Sequence, residues 1–245
     1  MDLTAPLPEL SIVLPAYEEA DNLRILLPAL KEAAQMLVPR CEILVVDATH
    51  PRDATPQVCA DHGVKYVPRR GGDCYGHAVR TGIADSRGGR VVFMDADGSH
   101  NPAFLPALWN KREEADLIIA SRYMPGGKTE NPAILIFMSL VVNVVFRLVL
   151  RLPCRDVSNS FRLYRGDDLR SLSLECDNFD IVEEILVLLS CKHPGYRIRE
   201  VPATFEERKA GKTKRKLVAF AFSYLAVLWR LWLLRRRVVK RGTQQ

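Results

Sequence analysis

The stretch Val91-Val92-Phe93-Met94-Asp95-Ala96-Asp97-Gly98-Ser99-His100 runs a continuous apolar segment into two carboxylates one residue apart. A short unbroken apolar run with a β-branched start suits a strand buried on both faces. Gly98 is the residue type that ends such a strand in a turn. Asp95 and Asp97 then stand just beyond its carboxyl end. Two carboxylates this close repel each other unless a cation lies between them or one keeps its proton. The spacing leaves two readings open: a divalent-metal site, or a helix-capping Asp97 beside a solvated Asp95.

Outward from this stretch, apolar runs alternate with helical patterns. Further strands are expected at Leu10–Leu14, Glu42–Val46, Val64–Val67 and Leu117–Ala120, and helices at Asn22–Met36, Pro56–His62, Tyr75–Ser86 and Ala103–Glu113. This is βαβ grammar, and it predicts an α/β fold with a mostly parallel sheet flanked by helices. Ligands of such sheets bind beyond the carboxyl ends of the strands. The residues there are Pro15 to Glu19, Asp47, Asp95 to Asp97, and Ser121 to Tyr123, a polar and acidic rim. No GxGxxG follows the first strand and no GxxxxGK[ST] occurs anywhere, so a bound diphosphate would lack a glycine cradle. Mg2+ or Mn2+ on Asp95 and Asp97 would do that work, since such ions take one or two carboxylates together with substrate phosphates.

The chain has 245 residues and a net charge of +6, enough for one large domain with an appended segment. The positive charge gathers near the C-terminus, in Arg208-Lys209, Lys212 to Lys216 and Arg235 to Arg241. Such clusters favour nucleic acid or the anionic lipid of a cytoplasmic leaflet, and the absence of interleaved aromatics argues against nucleic acid. Six cysteines without a CxxC pair or zinc spacing, and no signal peptide ahead of Ser11, read as reduced cytosolic thiols.

Two later segments are strongly apolar. In Ile134 to Arg151, Ser139, Asn143, Arg147 and Arg151 recur every four positions, a polar stripe on an apolar helix. A spanning helix would bury Arg147 at a cost of about 2.5 kcal/mol or more; a helix at about 133–151 lying in the headgroup layer keeps both arginines wet. Packing on the domain itself is the other reading. Leu217 to Leu234 would reach about 27 Å as a helix, yet basic residues flank both its ends. An in-plane anchor, or a docking helix for another copy or a membrane subunit, fits better than a span. The expected division is therefore 1–214 as the globular domain and 215–245 as a basic, apolar, membrane-associating helix.

Five stretches taken together, SIVLPAYEEADNL, VVFMDADGSHNP, LIIASRYMPGG, RDVSNSFRLYR and REVPATFEERKAGKTK, resemble the dolichyl/polyprenyl-phosphate mannosyltransferases among the family 2 glycosyltransferases. The match runs in order from Ser11 to Lys214. The resemblance implies a GT-A fold and metal-dependent, inverting transfer of a hexose, mannose above all, from a nucleoside diphosphate sugar to a polyprenyl monophosphate at the cytoplasmic membrane face. It places Pro15, Tyr17 and Glu19 against the nucleoside, with Asp47 also binding the donor, Asp95, Asp97 and Ser99 on the metal, and Ala96 against the donor. Arg122 and Arg208 stand where the family grips phosphates. Ser139 and Asn143, with Arg147 and Arg122, fall on the acceptor side, and Asp156, Ser158, Ser160 and Arg162 match a segment that shapes the site beneath the membrane helix.

Two positions depart from the pattern. Ala48 replaces a second aspartate that reads the nucleobase, and Leu135 replaces a basic residue for the lipid phosphate. They keep alternative functions in view: a UDP- or GDP-sugar transferase with a soluble or specialised acceptor, or a degenerate nucleotide-sugar-binding protein.

Overall fold

The computed structural model describes residues 6–192, 195–206 and 217–242. The chain runs β1 (Leu10–Pro15), α1 (Ala20–Leu37), β2 (Cys41–Asp47), α2 (Thr55–His62), β3 (Lys65–Pro68), α3 (Tyr75–Asp85), β4 (Arg90–Phe93), α4 (Leu105–Asn110), β5 (Leu117–Ser121), β6 (Lys128–Thr129), α5 (Ala133–Val149), β7 (Arg162–Arg165), α6 (Gly166–Arg170), α7 (Ile181–Ser190), β8 (Ile198–Pro202), β9 (Thr204–Phe205) and α8 (Leu217–Gly242). Seven strands form one sheet in the order β3-β2-β1-β4-β7-β5-β8, and β6 pairs with β9 in a small second sheet. Every pairing in the large sheet is parallel except the two made by β7.

The alternation of side chains along the strands divides the core in two. Ile12, Leu14, Val45 and Val92 face one hydrophobic cluster, which α1 covers with Leu23, Leu26, Leu27 and Leu30 at the spacing of one helical face. Val13, Leu44, Val46, Val91 and Phe93 face the other, which holds residues of α3, α5, α7 and α8. α3 lies so close to the sheet that a Cβ at Gly82 would stand 2.4 Å from Val13 Cγ1. The GT-A expectation is therefore met: a mostly parallel sheet with helices on both faces.

Four expected helices and five expected strands are present, with ends shifted by a few residues; Ala103–Glu113 shortens to a 3-10 turn at Pro102–Phe104 followed by α4. Strands β6 to β9 and helices α6 and α7 were not anticipated. β7 enters antiparallel between β4 and β5, with Phe93 opposite Arg162 and Ile119 opposite the same residue. Continued by two residues, that register brings Ser160 beside Asp95 and Ser121.

α5 rests on the body through Asn143, Phe146 and Leu150. It leaves Ile134, Phe137, Leu140, Val141, Val144, Val145, Leu148 and Val149 exposed. α8 seats Leu231 in the second core cluster, and its Tyr224 meets Phe146 of α5 edge to face. Among the described residues no helix is long and apolar enough to cross a membrane.

Candidate active site

The carboxyl ends of β1, β3 and β4 converge on an open pocket of about 280 Å3, lined by Pro15, Ala16, Tyr17, Glu19, Arg69, Asp73, Tyr75, Asp95, Ala96, Asp97 and Phe179. The topology places it there, because the strand order reverses about β1 and β4. Pro15, Tyr17, Glu19, Asp95, Ala96 and Asp97 were expected at the site from sequence. Arg69, Asp73, Tyr75 and Phe179 were not. Arg69 directly follows β3, so the carboxyl-end rule applied to that strand would have found it.

Each acidic side chain is held from behind. The Asp95 carboxylate is 23% exposed; its Oδ1 accepts from Ser160 Oγ at 2.9 Å and from the Tyr75 hydroxyl at 3.5 Å. Burial, and then the Asp95 charge, push the Tyr75 phenol well above its ordinary value, so it stays a donor. Asp97 Oδ1 accepts from the Ser99 backbone N–H at 3.1 Å and from Ser99 Oγ at 2.6 Å. Ser99 itself is fully buried, and in this arrangement it orients Asp97. Among the described residues no third His, Cys, Asp or Glu joins the pair. Two hard oxygen donors, with the remaining positions left to water and phosphate, is a donor set that fits Mg2+ or Mn2+.

His100 is fixed rather than available. The Asp95 backbone N–H donates to its Nδ1 at 2.9 Å, and its Nε2 meets Asn159 Oδ1 at 2.9 Å. Both contacts are satisfied by a neutral ring carrying its proton on Nε2. Phe161 stacks on the ring from one side.

On the Tyr17 side of the pocket, buried Arg69 donates from Nε to the Asp47 carbonyl at 2.9 Å and from Nη1 to the Asp73 carbonyl at 2.7 Å. Its third nitrogen, Nη2, reaches the Ala16 carbonyl. Tyr17 lies beneath two guanidinium groups, Arg52 at 5.2 Å and Arg69 at 5.7 Å from its ring centre. Asp47 is buried behind this layer and does not line the pocket. Its Oδ1 has no hydrogen-bond partner, and burial lifts its carboxyl above the ordinary range. Ala48, the first departure, is fully buried.

A second constellation lies beyond β5. Arg122 grips Asp156 with two parallel bonds, Nε to Oδ2 at 2.8 Å and Nη2 to Oδ1 at 2.7 Å, and Nη2 also reaches Ser158 Oγ at 2.8 Å. The Arg122 side chain is 10% exposed and that of Asp156 0%. Burial opposes the guanidinium charge, yet the Asp156 carboxylate prevails and raises its pKa above the ordinary value. Asn143 of α5 joins the same network: its Nδ2 donates to Ser158 Oγ at 3.2 Å and its Oδ1 accepts from the Val157 N–H at 2.5 Å. Ser139 lies one turn before Asn143 and accepts from it; Arg147, one turn after, is exposed. Fully buried Arg162 donates to the Val182 and Val157 carbonyls at 2.9 and 2.6 Å. Arg208 lies outside the described residues.

Residues 11–172 match the family model of glycosyl transferase family 2. The chain belongs to that family. This family 2 glycosyltransferase is 35% identical over 211 residues to the undecaprenyl-phosphate mannosyltransferase of Micrococcus luteus, covering 82% of this chain and 85% of that one. It is 31% identical over 231 residues to the dolichol-phosphate mannosyltransferase of Pyrococcus furiosus, covering 91% of this chain and 63% of the relative's length. Among solved structures, the glucosyl-3-phosphoglycerate synthase of Mycobacterium tuberculosis in complex with Mn2+, UDP and glucosyl-3-phosphoglycerate superposes with a TM-score of 0.66 at 19% identity, over 93% of this chain and 80% of that one. The same enzyme with Mg2+ and UDP superposes with a TM-score of 0.66 at 18% identity, over 91% and 79%. These two likenesses are of fold.

Proposed function

We propose that this glycosyltransferase transfers mannose from GDP-mannose to a polyprenyl monophosphate, with inversion, at the cytoplasmic face of a membrane, and that Mg2+ or Mn2+ is held by Asp95 and Asp97. The relatives named as undecaprenyl- and dolichol-phosphate mannosyltransferases support the reaction class. One observation supports the membrane-side part of the reading. The exposed apolar face of α5 is joined, through Asn143 and Ser158, to Arg122. From there Asp156 accepts the Asn159 N–H, and Asn159 reaches His100 and the Asp95 backbone. The helix with the exposed apolar face and the backbone of Asp95 thus belong to one hydrogen-bonded unit, which supports chemistry beside a membrane surface.

The chemistry needs charge control more than a base. A phosphate monoester, with a second pKa of about 6, is mostly ionised near neutrality and is its own nucleophile. That accords with His100 being locked as a positioning group. An acceptor oxygen attacks the anomeric carbon as the bond to the nucleoside diphosphate breaks, and the developing negative charge on the leaving group must be offset. A bound divalent ion supplies that neutralisation. Tyr75 and Ser160 orient Asp95, and Ser99 orients Asp97. Arg122 presents Nη1, the nitrogen not engaged by Asp156 or Ser158, as a charge-assisted donor toward phosphate; Arg208 is assigned the same duty through the family resemblance. Ser139 and Arg147 form the acceptor side along α5, where an anionic lipid headgroup would meet Arg147 and Arg151, while buried Asn143 anchors the helix instead of meeting the acceptor.

The test is donor and acceptor selection. Purified enzyme is given radiolabelled GDP-mannose or UDP-glucose with manganese, and either polyprenyl phosphate in vesicles or a soluble phosphate monoester. The proposal expects label from GDP-mannose in the organic-extractable lipid. Label confined to the soluble acceptor, or transfer only from UDP-glucose, would overturn it.

A further inference from the structure

The pocket has an aromatic wall whose ring faces the nucleoside and metal assignments leave unused, although the Tyr75 hydroxyl serves Asp95. Tyr75, at the start of α3, and Phe179, just before α7, stack with ring centres 4.3 Å apart and planes 18° apart. Both line the pocket beside Asp95 and Ala96. Phe179 is 47% exposed, a large apolar ring left partly in water. Its neighbours show that it is held there. The Gly76 N–H donates to the Asp177 carbonyl at 2.7 Å, and Arg80 pairs with Asp177 at 2.6 Å. On the other side Arg230 of α8 pairs with Asp180 at 2.6 Å. Gly76 lets α3 approach this loop closely; a Cβ there would stand 2.3 Å from the Cys176 carbonyl oxygen. An aromatic ring fixed on both flanks, facing a pocket and half in water, is pre-organised for a ligand surface.

The part of the ligand that meets this wall follows from its position. Tyr17 with its two arginines marks the nucleoside end of the pocket. The Tyr75 hydroxyl touches Asp95, which on the reading above holds the diphosphate end through a metal. The group that follows the second phosphate is the hexose. A pyranose presents a patch of C–H bonds on one face and hydroxyls at its rim. The flat apolar surface of Phe179 covers the first, and the Tyr75 phenol and Asp95 lie within reach of the second.

We infer that the Tyr75–Phe179 pair is the platform that binds the donor's hexose and discriminates a nucleotide sugar from the bare nucleoside diphosphate. This rests on the donor reading given under Proposed function. The test compares GDP and GDP-mannose binding, with manganese, by calorimetry for wild type, Phe179→Ala, Phe179→Tyr and Gly76→Ala. Phe179→Ala is expected to weaken GDP-mannose about tenfold while GDP changes less than twofold, because only the sugar touches the ring. Phe179→Tyr keeps a ring of the same width and is expected to restore sugar binding. Gly76→Ala, by forcing the loop away from α3, is expected to copy the Phe179→Ala pattern. Equal losses for GDP and GDP-mannose in Phe179→Ala would make the ring a nucleotide contact and overturn the inference, as would no loss for either. A wild type that binds neither GDP-mannose nor UDP-glucose would sink the donor reading itself, and the inference with it. Unchanged thermal melting of Phe179→Ala is the control, expected because the side chain is half exposed.

Discussion

At the scale of single residues, Arg122 separates what residue type reveals from what only contacts reveal. The family resemblance makes this arginine, just beyond a strand end, a phosphate grip, and the structure shows that most of its donors are already spent. Nε and Nη2 hold a carboxylate with no solvent exposure. The arginine therefore serves the fold first. Arg122→Ala leaves Asp156 buried beside no counter-charge and should cost about 3–5 kcal/mol in urea unfolding. Arg122→Lys keeps the charge but loses the bidentate geometry; it is expected to recover part of that stability while transfer stays low. An Arg122→Ala protein as stable as wild type would show that this ion pair does not anchor the loop. The acidic pair itself was legible because strand, turn and carboxylates lie within ten consecutive residues. Tyr75 and Phe179 were not, since each reaches the site from a distant part of the chain and carries no local pattern; Ser160 was reached only through the family resemblance.

At the scale of elements, α5 shows how a period-four stripe can be read correctly and still hide its division of labour. Asn143 turns inward and is buried, whereas Arg147 and Arg151 stay exposed. Asn143 ties the helix to Ser158 and Val157, which leaves the apolar face to be covered by something other than the body. If that cover is a membrane, Phe137→Glu with Leu148→Glu should reduce co-flotation with anionic vesicles about tenfold or more. Because both side chains are exposed, stability should stay within about 0.5 kcal/mol of wild type. Unchanged flotation would remove α5 from the lipid contact. β7 was among the elements that the sequence did not reveal. Its apolar core, Phe161-Arg162-Leu163-Tyr164, is interrupted by arginine, and only the tertiary fold supplies the buried carbonyls that accept from Arg162.

At the scale of the whole molecule, buried charge beneath the site couples the fold to pH. Glu183 of α7 is buried, and burial, opposed by the charge of Arg162 and reinforced by Asp180 and Asp156, pushes its carboxyl up to about 7. The sign follows directly. Between the ordinary glutamate value and about 7 the native state holds a proton that the unfolded chain has released. Glu183 therefore contributes its full stability below the ordinary value, and that contribution is lost as pH rises through about 7. Glu183→Gln cannot titrate, so the difference in unfolding free energy between wild type and variant should shift steadily from pH 5 to pH 7.5 and level off above. A difference that is flat across that range would place a charged, well-solvated Glu183 in the native protein. The parallel sheet and the pocket at its carboxyl edge were legible from the βαβ alternation. The seating of α8 on the second core, through Leu231 and the Arg230–Asp180 pair, was not, because its apolar run satisfies a membrane anchor and a packed helix alike.

The most direct test of the central claim is transfer of labelled mannose from GDP-mannose to polyprenyl phosphate by wild type and Asp97→Ala, each with manganese and again after chelation. Label should enter lipid only with wild type and metal present, and fall on the order of 10²–10³-fold in either other condition. Undiminished transfer by Asp97→Ala, or by wild type after full chelation, would contradict an acidic pair that works by holding a cation.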